Sequence, residues 1–220
     1  VFCCDDRRPV GRLDGWHISP ERGLELLVRS GRWDPVVRRV PCSDVLWRSS
    51  NAILLSLERR RFLELPRYLP DEELQLAVYE SLRTFSPLRY TSLRYTPVRS
   101  IEIRAHDGVV GLSGHVANEL HRRESVWRAG DTPGVLRVQD RLVTDEQVTN
   151  AVAKAMLPHP ELQPSRVRVS GKLGEVLLEG ALDSPRDVGL AISVAAEVPG
   201  VTAVESRLFA DRQQDAGSAG

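Results

Sequence analysis

Residues 101–143 align without a gap on residues 167–209, at a constant offset of 66. Ile101, Ile103, Val110, Leu112, Gly114, Pro133, Gly134, Val135, Val138, Arg141 and Leu142 fall on Val167, Val169, Val176, Leu178, Gly180, Pro199, Gly200, Val201, Val204, Arg207 and Leu208. With Gly108/Gly174 and Ala129/Ala195 included, 11 of the 43 positions are identical. The shared residues are nearly all apolar, Gly or Pro. They therefore record a scaffold, and an internal repeat of this kind fixes the architecture before it says anything about chemistry.

Each copy reads as α-β-β-α-β. Asp71 to Leu82 places Leu74, Ala77, Val78 and Leu82 on one helical face, and Asp145 to Leu157 does the same with Val148, Ala151, Val152 and Ala155. Acidic first turns suit the helix N-terminus, and Thr144 with Gln147 has capping-box spacing. Ile101–Arg104 and Val110–Leu112 flank the two-residue turn Asp107-Gly108. Val167–Val169 and Val176–Leu178 sit around Gly174 in the same way. Gly114 and Gly180 end the return strands, where a positive φ or a close backbone approach is expected. Ser184 followed by Pro185 starts the second helix of copy two, and Val204 to Phe209 is the last strand.

The first 68 residues alternate short strands with turns, which argues for a small barrel or sandwich. Val10, Leu13, Trp16 and Ile18 are the candidate inward positions of its first strand. Trp16 and Trp47 are either core or a docking surface. Glu58 to Leu65 is a short helix stopped by Pro66. The fold class expected is α+β: a small N-terminal β-barrel, then two tandem α-β-β-α-β domains. The expected boundaries are 1–68, 69–144 with an insert near 86–98, 145–211, and a polar disordered tail at 212–220.

Two family resemblances follow. Val10-Gly11-Arg12-Leu13-Asp14, Ser19-Pro20-Glu21-Arg22-Gly23, Val40-Pro41 with Asp44-Val45, and the strand with Ile53, Leu55 and Leu57 resemble the PRC-barrel family. That resemblance implies a docking barrel. Val110-Gly111-Leu112-Ser113-Gly114-His115-Val116 and Pro133 to Leu142, with Val176 to Leu182 and Pro199 to Leu208 in the second copy, resemble the BON domain (bacterial OsmY and nodulation). That family implies attachment to phospholipid or to envelope proteins, a link to stress in bacteria, and no catalysis.

Charge is balanced over the chain, 30 basic against 30 acidic, but unevenly placed. Residues 1–68 carry 13 basic and 9 acidic side chains, and residues 145–220 carry 7 and 11. The head therefore suits an anionic partner better than the tail does. No apolar run is long enough to span a bilayer. Cys3, Cys4 and Cys42 make a poor disulfide framework and read as reduced thiols, which favours a cytoplasmic or inner-membrane-peripheral location. Because the chain begins at Val1, a removed leader and a periplasmic location stay open.

No catalytic constellation is present in the sequence. His121 and Glu124 stand as a lone i, i+3 pair, Gly111-Leu112-Ser113-Gly114 lacks a nucleophile-elbow pattern, and there is no Walker sequence, dinucleotide fingerprint or Cys-x-x-Cys. No cofactor, metal or small-molecule substrate is implied. The candidate contact residues lie where the copies disagree or where basic residues cluster. They are Arg59, Arg60 and Arg61; Arg89, Tyr90, Arg94 and Tyr95 in the insert; and Arg122 and Trp127, which replace Val188 and Ser193 of copy two. Arg beside an aromatic suits a phosphate head group or nucleic acid, while Trp127 suits a membrane interface, a neighbouring domain or its own core. The favoured expectation is a non-enzymatic scaffold binding phospholipid surfaces or proteins. An RNA- or ribosome-associated factor is the alternative.

Overall fold

The computed structural model describes residues 1–31, 35–83, 100–162 and 166–210. It is a mixed α+β chain of several small sheets, with β1 Arg12–Ser19, β2 Gly23–Ser30, β3 Val36–Pro41, β4 Val45–Arg48, β5 Ile53–Leu55, α1 Arg59–Glu64 and α2 Asp71–Arg83 in the first part. Then come β6 Ile101–His106, β7 Val109–Val116, α3 Glu119–Asp131, β8 Arg137–Thr144, α4 Asp145–Met156, β9 Val167–Lys172, β10 Glu175–Leu182, α5 Pro185–Ala196 and β11 Ala203–Ala210. No helix among the described residues is long and apolar enough to cross a membrane. The chain divides into two compact units. One holds Val1–Phe85, Ile103–Gly111 and Trp127–Gln139; the other holds Ser86–Glu102, Leu112–Val126 and Asp140–Gly220.

In the first unit, β1, β2 and β3 form an antiparallel sheet in that order, and β4 pairs with β5 in a separate two-stranded ribbon. Phe2 bridges to Leu54 and to Pro9. The described strands do not close into a barrel. One side of the sheet supplies Leu26, Val28 and Val40 to a core with Cys3, Val10, Leu55 and Phe62. Of the four positions expected inward, only Val10 is buried, and it precedes β1; Leu13 and Trp16 are about half exposed and Ile18 is 77% exposed. The reason is position in the sheet rather than facing. Leu13, Trp16 and Ile18 lie opposite Val28, Leu26 and Leu24, and the bulge between Leu13 and Gly15 keeps all three on the core side. β1 is, however, an end strand of its sheet, and the core gathers under β2 and β3. Trp16 and Trp47 are both exposed and are not core.

The repeat is realised as the periodicity dictates. Strand orders are β6-β7-β8 and β11-β10-β9, with the last strand of the second copy parallel to the middle one. The second copy buries Val148, Val152 and Met156 of α4, Ala191 and Ala195 of α5, and Val176, Leu178 and Leu182 of β10. Thr144 and Gln147 form the capping box of α4, and Ser184 caps α5 ahead of Pro185. Gly114 and Gly180 have positive φ, and a Cβ at either would collide with a backbone carbonyl, that of Ser100 or Arg166.

Candidate functional site

The turn residue Asp107 is where chemistry-bearing side chains converge. Asp107 and Gly108 both have positive φ, the two-residue turn that Asp-Gly favours. The turn carries a carboxylate that is 8% exposed. Its Oδ1 accepts from His17 Nε2 at 2.6 Å, from Arg22 Nη2 at 3.1 Å and from Arg39 Nη1. Its own N–H donates to Asp71 Oδ1 at 2.8 Å.

The strand register explains the convergence. His17 on β1 lies opposite Glu25 on β2, and Arg39 on β3 lies diagonal to Glu25, whose direct partner is Pro41. Cross-strand and diagonal neighbours on one face are close enough to interact. His17, Glu25 and Arg39 thus share the sheet side away from Leu26 and Val28. Glu25 is 2% exposed and Arg39 5%. Arg22 Nε sits 3.1 Å from Glu25 Oε1, and Arg39 Nη1 sits 3.6 Å from Glu25 Oε2. Tyr68 completes the enclosure. Its N–H donates to Val37 O at 2.7 Å, and its ring lies 4.7 Å from the Arg39 guanidinium carbon and 5.4 Å from the His17 ring.

Burial alone would raise the Asp107 carboxyl. Hydrogen bonds from Ser19, His17 and Arg39, with the Arg39 charge, outweigh it and bring the carboxyl down to about 2. Because Asp107 is a carboxylate and accepts only, His17 Nε2 carries the shared hydrogen. His17, Glu25 and Asp107 also bring one ligand atom each within 4.8 Å of one another. A cation is nevertheless disfavoured between them. The Arg39 guanidinium already takes that position, bonding Asp107 and lying against Glu25. Two carboxylates are matched by two guanidiniums, although the buried Glu25 Oε2 accepts no hydrogen bond among the described residues.

The second copy has a related joint. His115 Nε2 donates to Gly200 O at 2.6 Å, and a Cβ on Gly174 would come within 2.9 Å of the His115 ring. Leu173 and Gly174 are the left-handed turn pair here. Asp145 Oδ1 accepts the Leu173 N–H at 2.6 Å, as Asp71 accepts that of Asp107 in the first copy. Burial pushes the Asp145 carboxyl up, against the pull of the Leu173 N–H and the His115 charge. In both copies the first helix residue clamps the hairpin turn. In both, a histidine from upstream in the chain packs on the turn.

Among the described residues, those singled out in the sequence are not gathered into one site. Arg59 pairs with Asp6 at 2.7 Å, and its N–H is held by Asp5. Arg60 and Arg61 each reach Glu64. Arg122 pairs with Asp140 at 2.8 Å and with Glu119 at 3.6 Å. Trp127 is 61% exposed, with the Arg128 guanidinium 5.9 Å from its ring. Arg89, Tyr90, Arg94 and Tyr95 lie outside the described residues. The three cysteines are free; burial raises the Cys3 thiol, which opposes a reactive thiolate. The Asp107 cluster was missed because His17, Glu25 and Arg39 read as the polar side of half-exposed strands. Asp107 reads as a turn residue.

A BON domain family model matches residues 90–144 and again residues 144–208. Osmotically-inducible protein Y of Escherichia coli (strain K12) is 33% identical over 121 residues, covering 49% of this chain and 60% of that protein. The match thus spans less than two thirds of that relative's length. Among solved structures, the C-terminal domain of CdsD, a structural protein of the type III secretion system of Chlamydia trachomatis, aligns with a TM-score of 0.49 at 16% identity. It covers 66% of this chain and 68% of its own. A second CdsD structure gives a TM-score of 0.27 at 13% identity, over 64% and 94%. Likeness at that level carries no argument.

Proposed function

The chain belongs to the BON domain family, carrying two such domains, and from that premise we propose that it is a non-enzymatic scaffold which attaches to phospholipid surfaces or partner proteins of the bacterial envelope under osmotic or related stress. The observation that carries this reading is the Asp107 cluster. The charged groups of the cluster are paired with one another, Arg22 and Arg39 with Asp107 and Glu25. Mutual pairing of this kind suits a cluster that holds the chain in place. The two family matches and the similarity to an osmotically inducible protein support the stress-linked, envelope-side reading.

In this proposal residues 1–68 act as a PRC-barrel-like docking module, followed by BON domains at 69–144 and 145–211. Trp127 is the favoured membrane-facing or partner-facing residue, because an exposed indole next to Arg128 suits a lipid head-group region. Arg89, Tyr90, Arg94 and Tyr95 are proposed as accessory contacts on the strength of their composition. Arg59, Arg60, Arg61 and Arg122 are weaker candidates, since each is engaged by a carboxylate. The same pairing weakens the RNA reading of the basic run.

Flotation with anionic and zwitterionic liposomes at low and high salt tests the lipid branch. The expected result is co-flotation with anionic vesicles that salt reduces and Trp127→Ala weakens. No flotation under any condition removes that branch and leaves the protein-binding one.

A further inference from the structure

The two repeats differ at their last strands, and the difference points outward. β11 is the end strand of its sheet, with β10 on one side. No strand among the described residues pairs its other edge. A row of unpaired backbone groups on an end strand is a template for another strand, and proteins blunt such edges unless they are used. Along β11, Val204 and Leu208 pack toward the helices. Glu205, Arg207 and Phe209 alternate with them and are exposed. Phe209 is 61% exposed beside Ala181, its partner on β10.

The pattern of β11 is complementary to itself. Laid antiparallel on a second β11 about a two-fold axis at Ser206, Glu205 faces Arg207 of the second copy, and Arg207 faces its Glu205. Val204 then faces Leu208, and Phe209 faces Ala203, a large ring against a small side chain. Opposite charges and apolar pairs directly across two strands stabilise pairing, and like charges oppose it. β8, the counterpart in the first repeat, lacks this pattern. Gln139 stands where β11 has Glu205, Asp140 is held by Arg122, and Val143 stands where β11 has Phe209 and packs on the core of the second repeat. β6 repeats the Glu-x-Arg spacing at Glu102 and Arg104 but offers no exposed apolar anchor, since Ile101 and Ala105 are buried.

We propose that β11 is a dimerisation strand whose occupant is the β11 of a second copy of this chain, the two sheets joining edge to edge about a two-fold axis. The contact is isologous, so it closes at two copies rather than propagating. Within one chain Arg207 lies 3.1 Å from Glu205 and 3.6 Å from Glu179. These exposed pairs hold the guanidinium at the strand surface, ready to be shared across the axis.

Sedimentation velocity of the full chain over a concentration series tests this. The wild type is expected to shift from monomer to dimer. Arg207→Glu sets acid against acid and Glu205→Arg sets base against base, so each variant alone is expected to weaken the dimer by at least about tenfold. Mixed one to one, the two variants restore opposite pairs and are expected to dimerise again. Phe209→Thr, an exposed change that leaves the core alone, is expected to weaken the dimer without altering the melting temperature. This serves if either charge variant fails to fold. A wild type that stays monomeric at millimolar concentration overturns the proposal, as does a dimer that Phe209→Thr leaves intact. Folded charge variants that dimerise alone, or fail to restore each other, overturn it as well.

Discussion

Two turns of the same type, one in each repeat, are held in chemically opposite ways. At Asp107 the joint is ionic: a carboxylate takes hydrogen bonds from His17, Arg22 and Arg39, with Glu25 behind them. At Leu173 the carboxylate is replaced by an apolar side chain. The turn side chain is a leucine, and the upstream histidine contributes one hydrogen bond, to Gly200 O. The clamp beneath is shared, since Asp71 and Asp145 bond the same backbone N–H in each copy. The repeat therefore conserves the backbone device and leaves the turn side chain free to match whatever packs on it. The turn with Asp107 packs on side chains of β1, β2 and β3. The turn with Leu173 packs on His115 of the first repeat.

This contrast can be broken most severely at Arg39. Arg39→Met removes the buried cation between two buried carboxylates and leaves only the more exposed Arg22 guanidinium against both, a change that costs about 3–5 kcal/mol. Urea unfolding followed by tryptophan fluorescence should show that loss. His115→Ala, at the other joint, should cost only about 1 kcal/mol, the worth of one hydrogen bond. Equal effects would mean that the ionic joint is not the stronger one.

A second effect, nearly as large, lies where the repeats are alike. Gly114→Ala and Gly180→Ala each drive a Cβ into a carbonyl at positive φ. Each should cost about 1–3 kcal/mol, and the two should agree closely in thermal melts. Divergence would show that the copies do not share their backbone strain.

Acid separates the joints more gently. The folded Asp107 carboxyl sits at about 2, below its ordinary 3.8. Its contribution, about 2 kcal/mol, is complete above the ordinary value and fades as pH falls toward 2. Asp145 is shifted the other way, so its ionisation costs stability as pH rises through and above 3.8. Acidification should thus weaken the first joint and relieve the second. The check is the urea midpoint against pH, which should flatten between pH 4 and 2 in Asp107→Asn. The smallest effect is expected at α1. Arg60→Ala removes an exposed i, i+4 pair and should change stability by under about 0.5 kcal/mol.

The repeated segments were readable because their elements rest on local rules. Helical spacing from Leu74 and Val148, Asp-Gly at the first turn, the Thr144/Gln147 box and Ser184-Pro185 each act within a few residues, and each is realised. The first segment was less legible. Leu13, Trp16 and Ile18 do share one side of β1, but β1 is an end strand of its sheet and they stay exposed there, and alternation cannot foresee which strand lies at an edge. The Asp107 cluster was not legible at all. It joins residues separated by as many as 90 positions, and nothing in a strand pattern distinguishes a polar side chain facing water from one facing another module. One trace existed: Asp107 stands where the second copy has Leu173. A charged residue in place of an apolar one at an aligned turn marks a change in what covers it.

The account rests on the Asp107 cluster being a joint, its charges held for architecture rather than reaction. A double-mutant cycle on Arg39→Met and Asp107→Asn measures this most directly, by urea unfolding of the wild type, the two single variants and the pair. The account predicts that the double variant is far less damaged than the sum of the singles, with a coupling of about 2–3 kcal/mol. Additive losses, with no coupling between the two residues, would contradict it.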